Sequence, residues 1–154
     1  MRILPNILGW TLALACATSG WAQLPEKGYW RAASNSAARI TGDITFSSSK
    51  ITIDFTNFPL VPARNLTPAE VSAVFDEAVD TAGSGSLYRL NIPATRRFLN
   101  HNTLCGSEET HWMATYVAGK TLNVAFFSGD DAPTLTFEEL QKSTALCGAY
   151  TFVR

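Results

Sequence analysis

The stretch Arg39-Ile40-Thr41-Gly42-Asp43-Ile44-Thr45-Phe46-Ser47-Ser48-Ser49-Lys50-Ile51-Thr52-Ile53-Asp54-Phe55-Thr56 decides the fold class. Over Arg39 to Phe46, Ile40, Gly42, Ile44 and Phe46 fall on one face, with Thr41, Asp43 and Thr45 on the other. Over Lys50 to Thr56, Ile51, Ile53 and Phe55 oppose Thr52, Asp54 and Thr56. Successive side chains of a strand point to opposite faces, so period two with β-branched residues predicts two half-buried strands. Ser47-Ser48-Ser49 is a short polar connection, and the whole reads as a β-hairpin.

Outward from this ribbon the same signals recur. Strand character begins at Gly28, resumes over Ser86 to Ile92 and breaks at Pro93. A second hairpin is predicted from His111 to Val117 and Thr121 to Ser128, turning at Ala118-Gly119-Lys120. Cys147 to Val153 is the closing strand, and Ala94 to Thr110 is irregular. One α-helix is predicted over about 68–81: Thr67 caps it, Pro68 suits its first position, Glu70 completes a capping box, and Val71, Val74, Phe75 and Ala78 share a face. Phe137 to Lys142 reads as one helical turn. Some seven to eight strands with one helix in this order predict a mainly β fold, an antiparallel barrel or strongly curved sheet.

The N-terminus reads as a secretory signal peptide. Arg2 precedes an apolar run from Ile3 to Ala15, and small residues follow at Ala15, Ala17, Ser19, Gly20 and Ala22. Cleavage after Ala22, or alternatively Ala17, leaves an exported domain, periplasmic or extracellular. An alternative reading makes Cys16 in Leu14-Ala15-Cys16 a lipid-attachment site. The apolar run falls short of the about 20 residues a transmembrane helix needs. Residues 1–22 are thus the signal, and residues 23–154 form one domain, with Gln23 to Lys27 a short lead-in. Without Arg2, the 12 basic residues become 11 against 13 acidic, a net charge of −2, which offers no electrostatic case for nucleic acid or an anionic membrane. Of the 3 cysteines only Cys105 and Cys147 then remain, and two cysteines in an exported domain predict a disulfide.

Two resemblances follow from particular residues. Gly28-Tyr29-Trp30 near the first strand, with Arg154 at the far terminus, resembles the lipocalin and calycin β-barrels, where a basic residue from the last strand packs over the Trp of a Gly-x-Trp. The predicted helix before the fourth strand departs from that family, whose helix follows the barrel. The strings Ile40-Thr41-Gly42-Asp43-Ile44, Asn102-Thr103-Leu104-Cys105-Gly106, Ala125-Phe126-Phe127-Ser128-Gly129 and Leu146-Cys147-Gly148 resemble a group of small secreted bacterial proteins. That likeness implies export, β structure and the cysteine pairing, and implies no activity.

Candidate sites divide by chemistry. His101 and His111, with Glu108 and Glu109 between them, offer two imidazoles where a zinc site wants three or four ligands, so no metal is expected. No Gly-x-Ser-x-Gly elbow is present, and Gly83-Ser84-Gly85 follows a helix rather than a strand. Asp43 and Asp54 share the polar face of the first hairpin and form the one carboxylate pair suited to hydrolysis. That face is more simply read as the solvated side of the sheet, with Thr41, Thr45, Thr52 and Thr56 around it. Aromatic residues lie on both faces of the second hairpin: Trp112 and Tyr116 on one side of its first strand, Phe126 and Phe127 on opposite sides of its second. Such a ribbon is either buried by a second layer or lines a cavity, and Trp112, Tyr116, Phe126 and Phe127 become the expected ligand-binding residues. Cys105, Cys147, Trp30 and Arg154 are expected to be structural.

The expectation is therefore a non-enzymatic binding protein without cofactor or catalytic residues, holding a small apolar ligand in a barrel. The alternative is an inhibitor or interaction module for an exported protein, using Arg96-Arg97 and the polar loop from Asn100 to Glu109. A small hydrolase using Asp43 and Asp54 is third.

Overall fold

The computed structural model describes residues 24–78 and 83–154, so the signal-peptide and Cys16 readings lie outside the described residues. Nine antiparallel strands make one sheet: β1 Gly28–Ala32, β2 Ile44–Phe46, β3 Lys50–Ile53, β4 Thr56–Pro59, β5 Val61–Asn65, β6 Ser84–Ile92, β7 Thr110–Ala118, β8 Thr121–Phe127 and β9 Leu146–Val153. The helices α1 Pro68–Phe75 and α2 Phe137–Lys142 accompany a π-turn at Ala37–Thr41 and a 3₁₀ turn at Leu99–His101. No helix among the described residues is long and apolar enough to cross a membrane.

The strand order β4-β3-β2-β1-β9-β8-β7-β6-β5 dictates the shape. Laid flat, nine strands would separate the outer two by about 38 Å at their usual spacing. Yet β4 ends at Pro59 and β5 begins at Val61, two Cα steps or at most about 7.6 Å apart. The sheet must therefore curl until its edges meet at the buried Leu60. No ladder joins β4 to β5 or β6 among the described residues, so the sheet stays open along that seam. β1 divides its pairing, with Gly28–Trp30 bonded to β2 and Arg31–Ala32 to β9.

Inside the curl lie Trp30, Ile44, Phe46, Ile51, Ile53, Met113, Leu122, Val124, Phe126 and Phe152, all essentially without solvent contact. A second, smaller cluster lies outside β6–β8, where Leu87, Ala114, Ala125 and Phe127 meet Leu135 and side chains from α1 and α2. α1 approaches so closely that a Cβ on Gly85 would stand 2.9 Å from Val71 Cγ2 and 3.0 Å from Leu66 Cβ. The loop between β6 and β7 folds over one end, burying Phe98 and Leu104 and tying Cys105 to Cys147 across 42 residues.

Several expectations need correction. Only the centre of the first ribbon is strand. Ala37–Thr41 closes on itself as a π-turn ended by Gly42 at φ 62°, and Thr41 Oγ1 donates to the Ala37 carbonyl at 3.2 Å. Ser47–Ser49 does connect β2 to β3, but the 50–56 run breaks at Asp54 and Phe55, whose φ of 45° and 61° reverse the chain between Ile53 and Thr56. Both central residues of this tight hairpin turn need positive φ, which ends the alternation. Phe55 thus leaves the apolar face of Ile51 and Ile53 and is 98% exposed. The predicted helix over 68–81 stops at Phe75, because Asp76 adopts φ 52° and its N–H returns to the Ser72 carbonyl; residues 79–82 lie outside the described residues. Two further strands, β4 and β5, were hidden by Pro59 and Pro62, and Phe137–Lys142 is a second α-helix, capped by Thr136.

Candidate functional site

The four aromatics of the β7–β8 hairpin do not converge. Phe126 points inward and meets Tyr150 edge-on, 5.5 Å between ring centroids. Trp112 and Phe127, partners across the ladder, point outward into the smaller cluster. Tyr116 also faces outward and stacks on Phe75 at 6.5 Å. Layers cover both faces of this hairpin, and none of the four residues lines the clefts described below.

The sheet's two ends carry the unusual chemistry. At the first, residues 24–27 form a strap ahead of β1. Glu26 is 0% exposed; its Oε2 accepts from Tyr88 Oη at 3.0 Å, and its Oε1 accepts from Thr115 Oγ1. Trp30 Nε1 donates to the Glu26 carbonyl at 2.6 Å. Arg154 donates to the Lys27 carbonyl at 3.1 Å and lays its guanidinium 4.3 Å from the Trp30 ring centroid. The structure thus brings Trp30 and Arg154 together, a cation–π contact that also fastens the strap. Burial, reinforced by the Glu26 charge, raises the Tyr88 pKa and keeps its phenol a proton donor. Beside the strap lies a cleft of about 330 Å³ lined by Leu24, Pro25, Pro62, Asn65, Ser86 and Tyr88.

At the opposite end a cleft of about 400 Å³ is bounded by Tyr29, Asp43, Thr45, Thr52, Phe55 and Leu99. Strand register places Tyr29, Thr45, Thr52 and Asn57 in one row across β1–β4. Asp43 and Asp54 both line this cleft, but each is already engaged. Asp43 accepts from Tyr29 Oη and from the Ala32 N–H at 2.9 Å. These bonds, the tyrosine's first, hold its carboxyl below the usual range, which is the wrong direction for a general acid. Asp54 pairs with Arg96 at 3.5 Å, and Arg96 also donates to the Asp54 carbonyl at 3.2 Å. Arg96 therefore clamps the left-handed turn that presents Phe55.

The histidines separate. His101 is exposed on the 3₁₀ turn, while His111 Nε2 lies 3.3 Å from Glu109 and 3.5 Å from Asp130. Arg89 stands 3.3 Å from His111 Nδ1. A guanidinium can only donate, so in neutral His111 it assigns the lone pair to Nδ1 and the proton to Nε2. That tautomer bonds the carboxylates and withholds Nε2 from a metal. Among the described residues no group of three or more His, Cys, Asp or Glu is arranged to hold one.

Two residues of these ends escaped sequence reasoning. Glu26 sat in an apparent lead-in, with no local pattern marking a buried carboxyl. Phe55 was visible as the aromatic member of an Asp-Phe pair, but the alternation assigned it inward. Comparison with family models, curated proteins and solved structures finds no match.

Proposed function

We propose that the protein is an exported, non-enzymatic binding module of calycin-like barrel architecture that engages an exported partner protein through the cleft and turn at Phe55. One observation carries this reading: a phenylalanine is 98% exposed at the second of two consecutive left-handed residues. Each such non-glycine residue costs about 1–2 kcal/mol, and the exposed ring returns no burial energy to the fold. Strain of this kind, held by the Arg96 clamp, fits a contact residue. The Trp30–Arg154 stack and the β1–β9 pairing support the calycin likeness, and the Cys105–Cys147 bridge is consistent with an oxidising exported compartment.

An apolar ligand held in a barrel, the first expectation from sequence, would lie among the buried apolar side chains of the interior, such as Trp30, Phe46 and Phe126. A hydrolase through Asp43 and Asp54 lacks support because both carboxyls serve the turn and β1. The test is to install p-benzoylphenylalanine at position 55 and irradiate in the medium of origin. A discrete cross-linked protein is expected, with Phe55→Gly abolishing its retention. Retention unchanged by Phe55→Gly rules the reading out.

A further inference from the structure

A carboxyl group buried without a cation is costly unless its oxygens are satisfied. Glu26 meets that condition with neutral hydroxyls, Tyr88 from β6 and Thr115 from β7, and no ion pair to it is formed among the described residues. The cradle belongs to the sheet, whereas the group it holds belongs to the strap. That strap is not part of any ladder. Its own turn is closed by the Lys27 N–H to Leu24 carbonyl bond at 3.0 Å, and it is fastened to the sheet by the Trp30 and Arg154 side-chain bonds and the Glu26 carboxyl. Tyr88 is at once a donor to Glu26 and a lining residue of the adjoining cleft of about 330 Å³, which the strap's own Leu24 and Pro25 also line.

We propose that Tyr88 and Thr115 form a receptor for a carboxylate-bearing small molecule, which the chain's own Glu26 occupies as an internal plug. Lifting residues 24–27 removes one wall of the cleft, joins it to the cradle and admits a ligand with a carboxylate head and a short apolar tail. The apolar contacts come from Pro62, Ala63 and Leu87 in the cleft beside Tyr88, and the hydroxyl pair discriminates the head group. This inference concerns the interior and stands or falls independently of the Phe55 reading.

Glu26→Ala vacates the cradle, and hexanoate with hexan-1-ol as its uncharged counterpart are the probes, followed by calorimetry on the full chain. Saturable hexanoate binding is expected, with hexanol at least about tenfold weaker, since a hydrogen bond to a charged group is worth that much. Adding Tyr88→Phe to Glu26→Ala should weaken hexanoate about tenfold, and Glu26→Gln, which refills the cradle, should block it. In the unsubstituted protein, hexanoate should accelerate exchange of the Trp30 indole N–H, which bonds the Glu26 carbonyl across the strap's edge, while leaving the Phe126 amide protected. That arm decides the matter if Glu26→Ala does not fold. Equal affinity for hexanol and hexanoate would reduce the site to an apolar hole, and no response of the Trp30 indole N–H to hexanoate would make the strap a fixed structural element; either overturns the proposal.

Discussion

The two ends of the curled sheet are closed by opposite means. At the strap end, a few residues are held to the sheet by side-chain hydrogen bonds, two of them to a buried carboxyl. At the loop end, Phe98 packs edge-on against Phe58 at 6.1 Å, Leu104 is buried, and a disulfide makes the closure covalent. The covalent end also carries the strained turn with its exposed aromatic. Rigid closure lets an end hold a costly conformation without unravelling, whereas exchangeable closure lets an end open. On the two readings proposed above, the covalent end presents a contact residue and the strap end opens.

The largest test of this contrast is removal of the bridge. Cys105→Ser with Cys147→Ser should lower stability by about 4 kcal/mol in urea unfolding, the chain-entropy value for a loop of 42 residues. Amide exchange should rise first around Phe98–Leu104, with Trp30 still protected. Glu26→Ala comes next, at about 3 kcal/mol, because two buried hydroxyls lose their acceptor; Glu26→Gln should recover roughly half. If Glu26→Ala is neutral, the strap end is not held as described. Gly85→Ala, away from both ends, should cost about 2 kcal/mol by forcing α1 off the sheet.

Phe55→Gly reverses the sign. It should raise stability by about 1 kcal/mol, a melting shift of about 3 °C, by relieving a left-handed phenylalanine. A loss of stability would remove the strain argument.

The smallest effects are those of pH. Burial pushes the Tyr150 phenol up to about 12. A raised folded value means the contribution is full below the unfolded value near 10 and is lost as pH rises through about 12. Tyr150→Phe should flatten that alkaline limb. Glu70 is held low first by its bidentate Arg64 partner, 2.8 Å on each arm, and Asp43 by Tyr29. Their contributions are present above the usual carboxylate range and decline as pH falls below about 4. Glu70→Gln and Asp43→Asn should each shallow the acid limb by a small amount, since both sites are open to solvent.

Much of this architecture was written locally. Period-two alternation is a property of consecutive residues, so β2, β3, β7, β8 and β9 were legible in the chain, as was the Thr67-Pro68-Glu70 start of α1. The cysteine pairing followed from counting. Tertiary structure alone decided where alternation stops. The Asp54–Phe55 turn forms because β4 must return beside β3 to bring Leu60 to the seam, and β-hairpin twist then demands positive φ whatever residues stand there. Likewise nothing within Leu24–Lys27 distinguishes a solvated glutamate from a buried one. Its partners Tyr88 and Thr115 lie 62 and 89 residues away, and only the curl of the sheet brings their hydroxyls to it. Local periodicity sets direction along a strand, while burial of a polar group depends on contacts that no window of sequence contains.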